Sequence, residues 1–175
     1  YNAIIDKGYF NQDLRSDKFQ KLKLKSQSLH LEHLFEINSY VEKNFDSHVN
    51  ILVNNAGSSS KIRSIAHIPK NQWDEVLNIN LNSVYLLCQK FLKDMIKNKN
   101  GTIITISSMA ALKPGLLGGA PYGAAKAGVT NLMGAINSEF SNDGVRATAI
   151  MPGEVDTPIL NNRAKVPNSG ERGTM

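Results

Sequence analysis

The stretch TIITISSMAALKPGLLGGAPYGAAK, residues 102–126, leads from an apolar segment through a loop into a helix. Every residue in Thr102–Ile106 is β-branched, which predicts a buried strand. The loop Ser107–Pro121 is rich in glycine and proline, and such residues favour turns over regular structure. A helix is predicted from Tyr122 to about Phe140, and Asp143-Gly144 predicts the turn that follows it.

The same alternation continues on both sides of this stretch. The predicted strands are short and apolar, and they cover Val49–Val53, Thr102–Ile106 and Val145–Met151. The predicted helices have apolar residues at helical spacing and cover Leu31 to about Asn44, Gln72 to about Asn98 and Tyr122 to about Phe140. Apolar strands that alternate with helices indicate an α/β fold with a doubly wound, Rossmann-like parallel sheet and helices on both faces.

Composition bounds the function classes. The 175 residues carry a formal charge of +5, with the excess concentrated in Lys18–Lys25 and Lys90–Lys99. These lysines are not interleaved with stacking aromatic residues, so the sequence does not favour a nucleic-acid partner. No apolar run is long enough to span a bilayer, so no membrane partner is expected. The single Cys88 lies in an apolar run, which predicts a core residue in a reducing, cytoplasmic compartment.

Tyr122 and Lys126 are four residues apart on a predicted helix, so both project from one face. A nearby ammonium favours the phenolate form and is expected to lower the pKa of a tyrosine from about 10. Such a pair could donate and accept protons near neutral pH. The Tyr-x3-Lys spacing also arises by chance, in which case it is a pair of surface side chains.

Three predicted strand ends carry small or polar residues. Ser107 and Ser108 follow the strand Thr102–Ile106, Asn54-Asn55-Ala56-Gly57 follows Val49–Val53, and Pro152-Gly153 follows the third strand. In open α/β sheets this edge is where ligands bind, and small residues allow a flat ligand to approach the backbone. A hydroxyl at this edge could hold a carbonyl or alcohol oxygen beside Tyr122.

Together these pieces resemble the classical short-chain dehydrogenase/reductase family. The similarity covers about Leu31–Thr157. It rests on five motifs in the order that the family has them, namely Asn54-Asn55-Ala56-Gly57, Leu77-Asn78-Ile79-Asn80-Leu81, Ile106-Ser107-Ser108, Tyr122-Gly123-Ala124-Ala125-Lys126 and Pro152-Gly153-Glu154-Val155-Asp156-Thr157.

The resemblance implies hydride transfer between NAD or NADP and a small-molecule carbonyl/alcohol substrate. The implied catalytic roles are acid/base for Tyr122, ribose binding and pKa lowering for Lys126, substrate orientation for Ser108 in preference to Ser107, and a proton-relay water for Asn80. The implied cofactor-binding residues are Asn54, Ala56, Gly57, Tyr122, Lys126, Pro152, Gly153, Val155 and Thr157. No metal site is expected, because His30 and His33 have no further ligands at suitable spacing.

The sequence also departs from the family. It contains no Gly-x3-Gly-x-Gly turn, the feature that binds pyrophosphate at a helix N-terminus. The fold is therefore expected to be incomplete, lacking the glycine-rich βαβ start and truncated at both ends. The expected organisation is a weakly structured segment 1–28, a partial Rossmann-like domain 29–160 and a truncated substrate-lid or C-terminal segment 161–175.

Alternative functions remain open at this point. The chain could be an inactive, truncated relative that acts as an interaction or oligomerisation module, since the family pairs through helices that correspond to Gln72–Asn98 and Tyr122–Phe140. The full-length form is expected to be a homo-oligomer. An epimerase or dehydratase of the extended branch shares Tyr-x3-Lys, but Asn54-Asn55-Ala56-Gly57 argues against it.

Overall fold

A computed structural model describes residues 3–5, 43, 48–113, 115, 118–155 and 168–172 of the chain. Of the helix expected over residues 31–44 only residue 43 is described, and it is helical. The boundaries expected at 28/29 and 160/161 lie outside the described residues. The described part contains a four-stranded sheet whose strands lie in the order β1-β2-β3-β4. The strands are β1 (Ala3–Ile5), β2 (Ile51–Asn54), β3 (Gly101–Ile106) and β4 (Val145–Ile150).

The three predicted strands form adjacent parallel pairs. Leu52 of β2 is opposite Ile103 of β3, and Ile103 is opposite Ala147 of β4. This confirms the predicted parallel sheet. β1 pairs antiparallel with β2, so that Ile4 is opposite Val53, and no pattern in the sequence indicated this strand.

Three of the helices connect the parallel strands. Between β2 and β3 the chain forms α1 (Lys70–Leu77), a single π-helical turn (Asn78–Asn82) and α2 (Ser83–Lys97). Between β3 and β4 it forms a 3₁₀ turn (Met109–Ala111) and α3 (Ala120–Phe140). A short helix α4 covers Ser169–Arg172. The helix predicted over residues 72–98 is therefore a continuous helix that contains one π-helical turn.

The core lies between one face of the sheet and the two long helices α2 and α3. Alternate strand residues point into it, as period-two strands require, and the helices contribute residues three and four apart. Its members include Leu52, Ile103 and Val145 from the strands, Leu87, Phe91 and Met95 from α2, and Val129, Met133 and Ile136 from α3. On the opposite face, Ile104 and Ile106 are half-buried, while Arg146 and Thr148 of β4 are exposed.

Cys88 belongs to this core, as predicted. It is 2% exposed, and burial raises the pKa of its thiol from 9.0 to about 12. A neutral, buried thiol behaves as a small apolar residue. None of the helices in the described ranges is both long and apolar enough to cross a membrane.

Candidate active site

The carboxyl ends of the parallel strands meet at one edge of the sheet, and two hydrogen bonds hold the following segments together. The amide of Ser107, after β3, donates to the carbonyl of Ile150 at 2.7 Å, and the amide of Met109 donates to the carbonyl of Pro152 at 3.1 Å. The segment after β3 is therefore fixed against the segment after β4. This connection positions Ser108 at the edge of the sheet.

The two serines have different surroundings. The hydroxyl of Ser107 is buried and contacts the carbonyl of Lys126 at 3.0 Å and the hydroxyl of Thr130 at 2.8 Å. Ser108 is half-buried and caps the 3₁₀ turn, where its hydroxyl accepts a bond from the Ala110 amide at 3.2 Å. Its side chain also faces Tyr122 and acts to lower the pKa of the tyrosine. Ser107 thus fastens α3 to β3, and Ser108 is the serine that meets the tyrosine.

Tyr122 lies in the first turn of α3 and is half-buried. Desolvation raises the pKa of its hydroxyl above the ordinary 10.0, and the hydrogen bond from Ser108 opposes this effect. The pKa of Tyr122 was expected to fall below about 10 beside Lys126, and this expectation was wrong: the pKa is raised, because desolvation is the largest influence on the phenol. The phenol is therefore protonated at neutral pH.

Lys126 is one turn further along α3, and only 3% of it is exposed. Its ammonium donates to the carbonyl of Ile106 at 2.7 Å and lies 5.5 Å from the centre of the Tyr122 ring. Burial lowers the pKa of Lys126 from 10.5 to about 8, since a charged group loses solvation. An ammonium carries three N–H donors, and the Ile106 carbonyl takes only one of them.

Asn80 is fully buried in the π-helical turn. Its amide group donates to the carbonyls of Ser58 at 2.9 Å and Val76 at 2.8 Å, and its oxygen accepts from the Ser58 amide at 3.3 Å. The side chain thereby ties the helix to the segment after β2. A Cβ atom placed on Gly57 would lie 3.0 Å from the Asn80 oxygen and 3.4 Å from the Lys126 ammonium, so Gly57 brings its backbone against both groups.

The other predicted cofactor-binding residues fall into two groups. Asn54 is 4% exposed and donates to the hydroxyl of Thr105 at 3.2 Å, so its side chain links β2 to β3, while Ala56 is half-buried. After β4, Pro152 is half-buried and Gly153 and Val155 are exposed. Thr157 lies outside the described residues. Contact of any of these residues with a cofactor stays a prediction.

Two glycines before Tyr122 have individual roles that the sequence pattern did not indicate. Gly119 precedes α3 with φ 78° and ψ 161°, a backbone conformation that side chains strongly disfavour. Gly118 lies against the ring of Tyr122, where a Cβ would be 2.9 Å from the ring atom Cδ1. The pair Gly-Gly directly before a predicted helix was the available indication. Within the part of the chain that the structure describes, no cluster of histidine, cysteine and carboxylate side chains could hold a metal ion.

A family match agrees with this geometry. The sequence matches the family described as short chain dehydrogenase over residues 14–167, which is most of the chain. The chain belongs to the short-chain dehydrogenase family.

Curated members of the short-chain dehydrogenase family give the same result. Dehydrogenase/reductase SDR family member 6 from Danio rerio is 37% identical over 121 residues, which are 69% of this chain and 49% of that protein. The 3-oxoacyl-[acyl-carrier-protein] reductase FabG of Buchnera aphidicola subsp. Baizongia pistaciae is 37% identical over 123 residues, or 70% of this chain and 49% of that protein. The chain spans about half the length of these two relatives.

A solved structure supports the fold. An oxidoreductase of the short chain dehydrogenase/reductase family from Burkholderia thailandensis aligns with a TM-score of 0.63 and 28% sequence identity, covering 70% of this chain and 46% of that one. The Rossmann-like α/β fold predicted from the sequence is thereby confirmed, and the aligned part corresponds to less than half of that solved chain.

Proposed function

We propose that these residues form the catalytic half of an oxidoreductase that reduces a small-molecule carbonyl with NADH or NADPH as the hydride donor. The observation that carries the proposal is the placement of Tyr122 at this edge of the sheet, with the Lys126 ammonium 5.5 Å from the centre of its ring and Ser108 beside it. Two hydroxyl groups that meet at a ligand-binding sheet edge can both reach one substrate oxygen.

Carbonyl reduction creates negative charge on the substrate oxygen, and the site is suited to neutralise it. Ser108 orients that oxygen through its hydroxyl, and Tyr122 donates its proton as the charge develops. A raised pKa keeps Tyr122 protonated and ready to donate at neutral pH. After donation, the Lys126 ammonium stabilises the phenolate that remains, because the two charges are opposite and partly shielded from water.

The residues present fit one part of a nicotinamide cofactor. When bound, the cofactor would supply the hydride. Lys126 has N–H donors beyond the one used by Ile106, and these could bind hydroxyl groups of a ribose. The sequence has no Gly-x3-Gly-x-Gly turn to hold the pyrophosphate. We therefore propose that the 175-residue chain binds NAD(H) and NADP(H) weakly and turns over little substrate by itself.

The catalytic proposal is tested with a completed chain, in which a family glycine-rich start precedes these residues. This protein should reduce carbonyl compounds, and Tyr122→Phe should abolish the activity by removing the proton donor. Tyr85→Phe is the matched control, because Tyr85 is 47% exposed on α2 and is not among the residues of the site. A Tyr122→Phe variant as active as the Tyr85→Phe control would remove the catalytic assignment.

The cofactor proposal is tested separately by calorimetric titration of NADH and NADPH into the 175-residue chain. We expect dissociation constants no tighter than about 1 mM, which corresponds to about 4 kcal/mol of binding free energy. Micromolar binding would show that these residues hold the cofactor without a pyrophosphate turn. If the completed chain binds cofactor but reduces none of a broad carbonyl panel, an interaction or oligomerisation module becomes the better interpretation.

A further inference from the structure

Gly118 is in direct contact with the aromatic ring of Tyr122. A Cβ atom at Gly118 would lie 2.9 Å from Cδ1 and 3.7 Å from Cε1 of the ring, and 3.4 Å from the Cβ of Ala110. Carbon atoms that are not bonded to one another pack at about 3.5–4.0 Å, so even a methyl group at this position would overlap the ring. The space that a side chain would need is already occupied by Tyr122.

The requirement for glycine at this position is spatial. Among the described glycines, only Gly119 and Gly144 have a positive φ angle. The backbone of Gly118 is therefore one that alanine can adopt, and only the missing side chain distinguishes glycine from alanine there. This separates Gly118 from its neighbour Gly119, where the backbone conformation itself demands glycine.

The backbone that follows Gly118 is closely packed, so we expect the Tyr122 ring to move when a side chain at residue 118 overlaps it. The next residue, Gly119, already lies against the backbone of Arg63, since a Cβ on Gly119 would be 3.2 Å from the Arg63 Cα atom. Pro121 is fully buried at the start of α3. Directly after Tyr122 in sequence, a Cβ on Gly123 would lie 3.3 Å from the carbonyl oxygen of Ala110. The start of α3 is therefore close to the 3₁₀ turn that Ser108 caps.

We propose that Gly118 is a positioning residue that keeps the Tyr122 ring where its hydroxyl meets Ser108. The catalytic meaning of this role rests on the function proposed above. Gly118 contributes no chemical group, and it acts by leaving room for the ring. A side chain at residue 118 displaces the ring, separates the two hydroxyl groups and leaves the tyrosine without the bond that favours its ionised form.

The test is the pKa of Tyr122 in the 175-residue chain, measured by ultraviolet absorbance of the tyrosinate. The chain has five tyrosines. The signal of Tyr122 is obtained by subtracting the absorbance titration of the Tyr122→Phe chain, which contains only the other four. In Gly118→Ala we expect the pKa of Tyr122 to rise by about 0.5 pH unit or more, because the hydrogen bond from Ser108 is lost while the ring stays buried. The matched control is Gly115→Ala, since Gly115 belongs to the same loop and has nothing within 4 Å of its Cβ position.

A double-mutant cycle distinguishes positioning from a general effect on the loop. Ser108→Ala should itself raise the pKa of Tyr122, and Gly118→Ala should add little in that background, because the bond it would break is already absent. An unchanged pKa in Gly118→Ala, or fully additive shifts in the double variant, would overturn the proposal. So would a Gly118→Ala chain that is unfolded at 25 °C by circular dichroism, since the residue would then be structural.

The completed chain supplies the catalytic readout. Gly118→Ala should lower kcat about 10–100-fold with little change in KM, as expected when a reacting group is displaced and binding is not. An unchanged kcat would contradict the catalytic part of the proposal. A Tyr122→Phe enzyme that retained activity would refute the function of the site, but the pKa measurements would still decide whether Gly118 positions the ring.

Discussion

Because Lys126 is buried, we expect the free energy of unfolding to depend on pH, and this can be measured without cofactor or substrate. In the folded chain the pKa of Lys126 is about 8, against an ordinary value of 10.5. Between these two pH values the unfolded chain binds a proton that the folded chain has released, so the free energy of unfolding rises with pH. At about 1.4 kcal/mol per pH unit, the interval corresponds to about 3 kcal/mol for this one group.

Cys88 changes the free energy of unfolding with pH in the opposite direction. Its thiol has a pKa of about 12 in the folded chain and 9.0 ordinarily, so the folded state retains a proton that the unfolded state releases. Above pH 9 this lowers stability by about 1.4 kcal/mol per pH unit. The native chain should therefore gain stability between about pH 8 and 9, and the two contributions should then nearly cancel up to about pH 10, above which the raised pKa of Tyr122 also lowers stability.

The variant Lys126→Met separates the two contributions, because it removes the ammonium, keeps most of the apolar stem and leaves Cys88 in place. At pH 7 the variant avoids the penalty of a buried charge but loses the bond to the Ile106 carbonyl. The free energies of unfolding of the variant and the native chain are compared at each pH. Between pH 7 and pH 10.5 their difference should change by about 3 kcal/mol in favour of the native chain.

The measurement is urea unfolding at a series of pH values, followed by the fluorescence of the single tryptophan, Trp73. Lys113→Met is the control, because Lys113 is exposed and its removal takes a lysine away from the surface only. If the difference between Lys126→Met and the native chain were constant from pH 7 to 10.5, Lys126 would not be buried as described.

Three further predictions concern the same site. Carbonyl reduction by the completed chain should decline as pH rises through about 8, where Lys126 loses the charge that stabilises the phenolate. Gly119→Ala should destabilise the chain by about 1–3 kcal/mol through backbone strain, whereas Gly134→Ala, with open space around its Cβ position on α3, should stabilise it by up to about 1 kcal/mol; thermal unfolding of both variants decides. Asn80→Ala should cost about 2–4 kcal/mol, because a fully buried side chain loses three hydrogen bonds. Asn82→Ala in the same π-helical turn removes only an exposed bond and should cost less than about 0.5 kcal/mol. Equal effects within either pair would contradict the contacts described.

The parallel strands and the helices between them could be predicted because their residues carry the pattern locally. Thr102–Ile106 is β-branched throughout, and the structure has a strand over Gly101–Ile106. The antiparallel strand Ala3–Ile5 was not predicted, since its pairing with β2 joins residues that are distant in sequence. The π-helical turn at Asn78–Asn82 was also hidden, because one wide turn leaves the apolar periodicity of the flanking helices nearly intact.

At the site, the sequence could indicate which residues meet but not what their surroundings do to them. Ser108 and Tyr122 were expected to meet from their positions after a strand and at a helix start. The direction of the Tyr122 pKa was wrong, because the extent of burial is not visible in a Tyr-x3-Lys spacing. The same limit applies to Gly118 and Gly119, whose different requirements appear only when the ring and the Arg63 backbone are in place.

The single thiol of Cys88 can report when helix α2 separates from the sheet. Thiolate, and not thiol, attacks disulfide reagents, and a pKa of about 12 leaves about one molecule in ten thousand as thiolate at pH 8. The sulfur is also covered by the sheet and α2, so reagent reaches it only when the two layers separate. The rate of colour release from an aromatic disulfide in native buffer therefore reports the free energy of separating helix from sheet, without denaturant or added label.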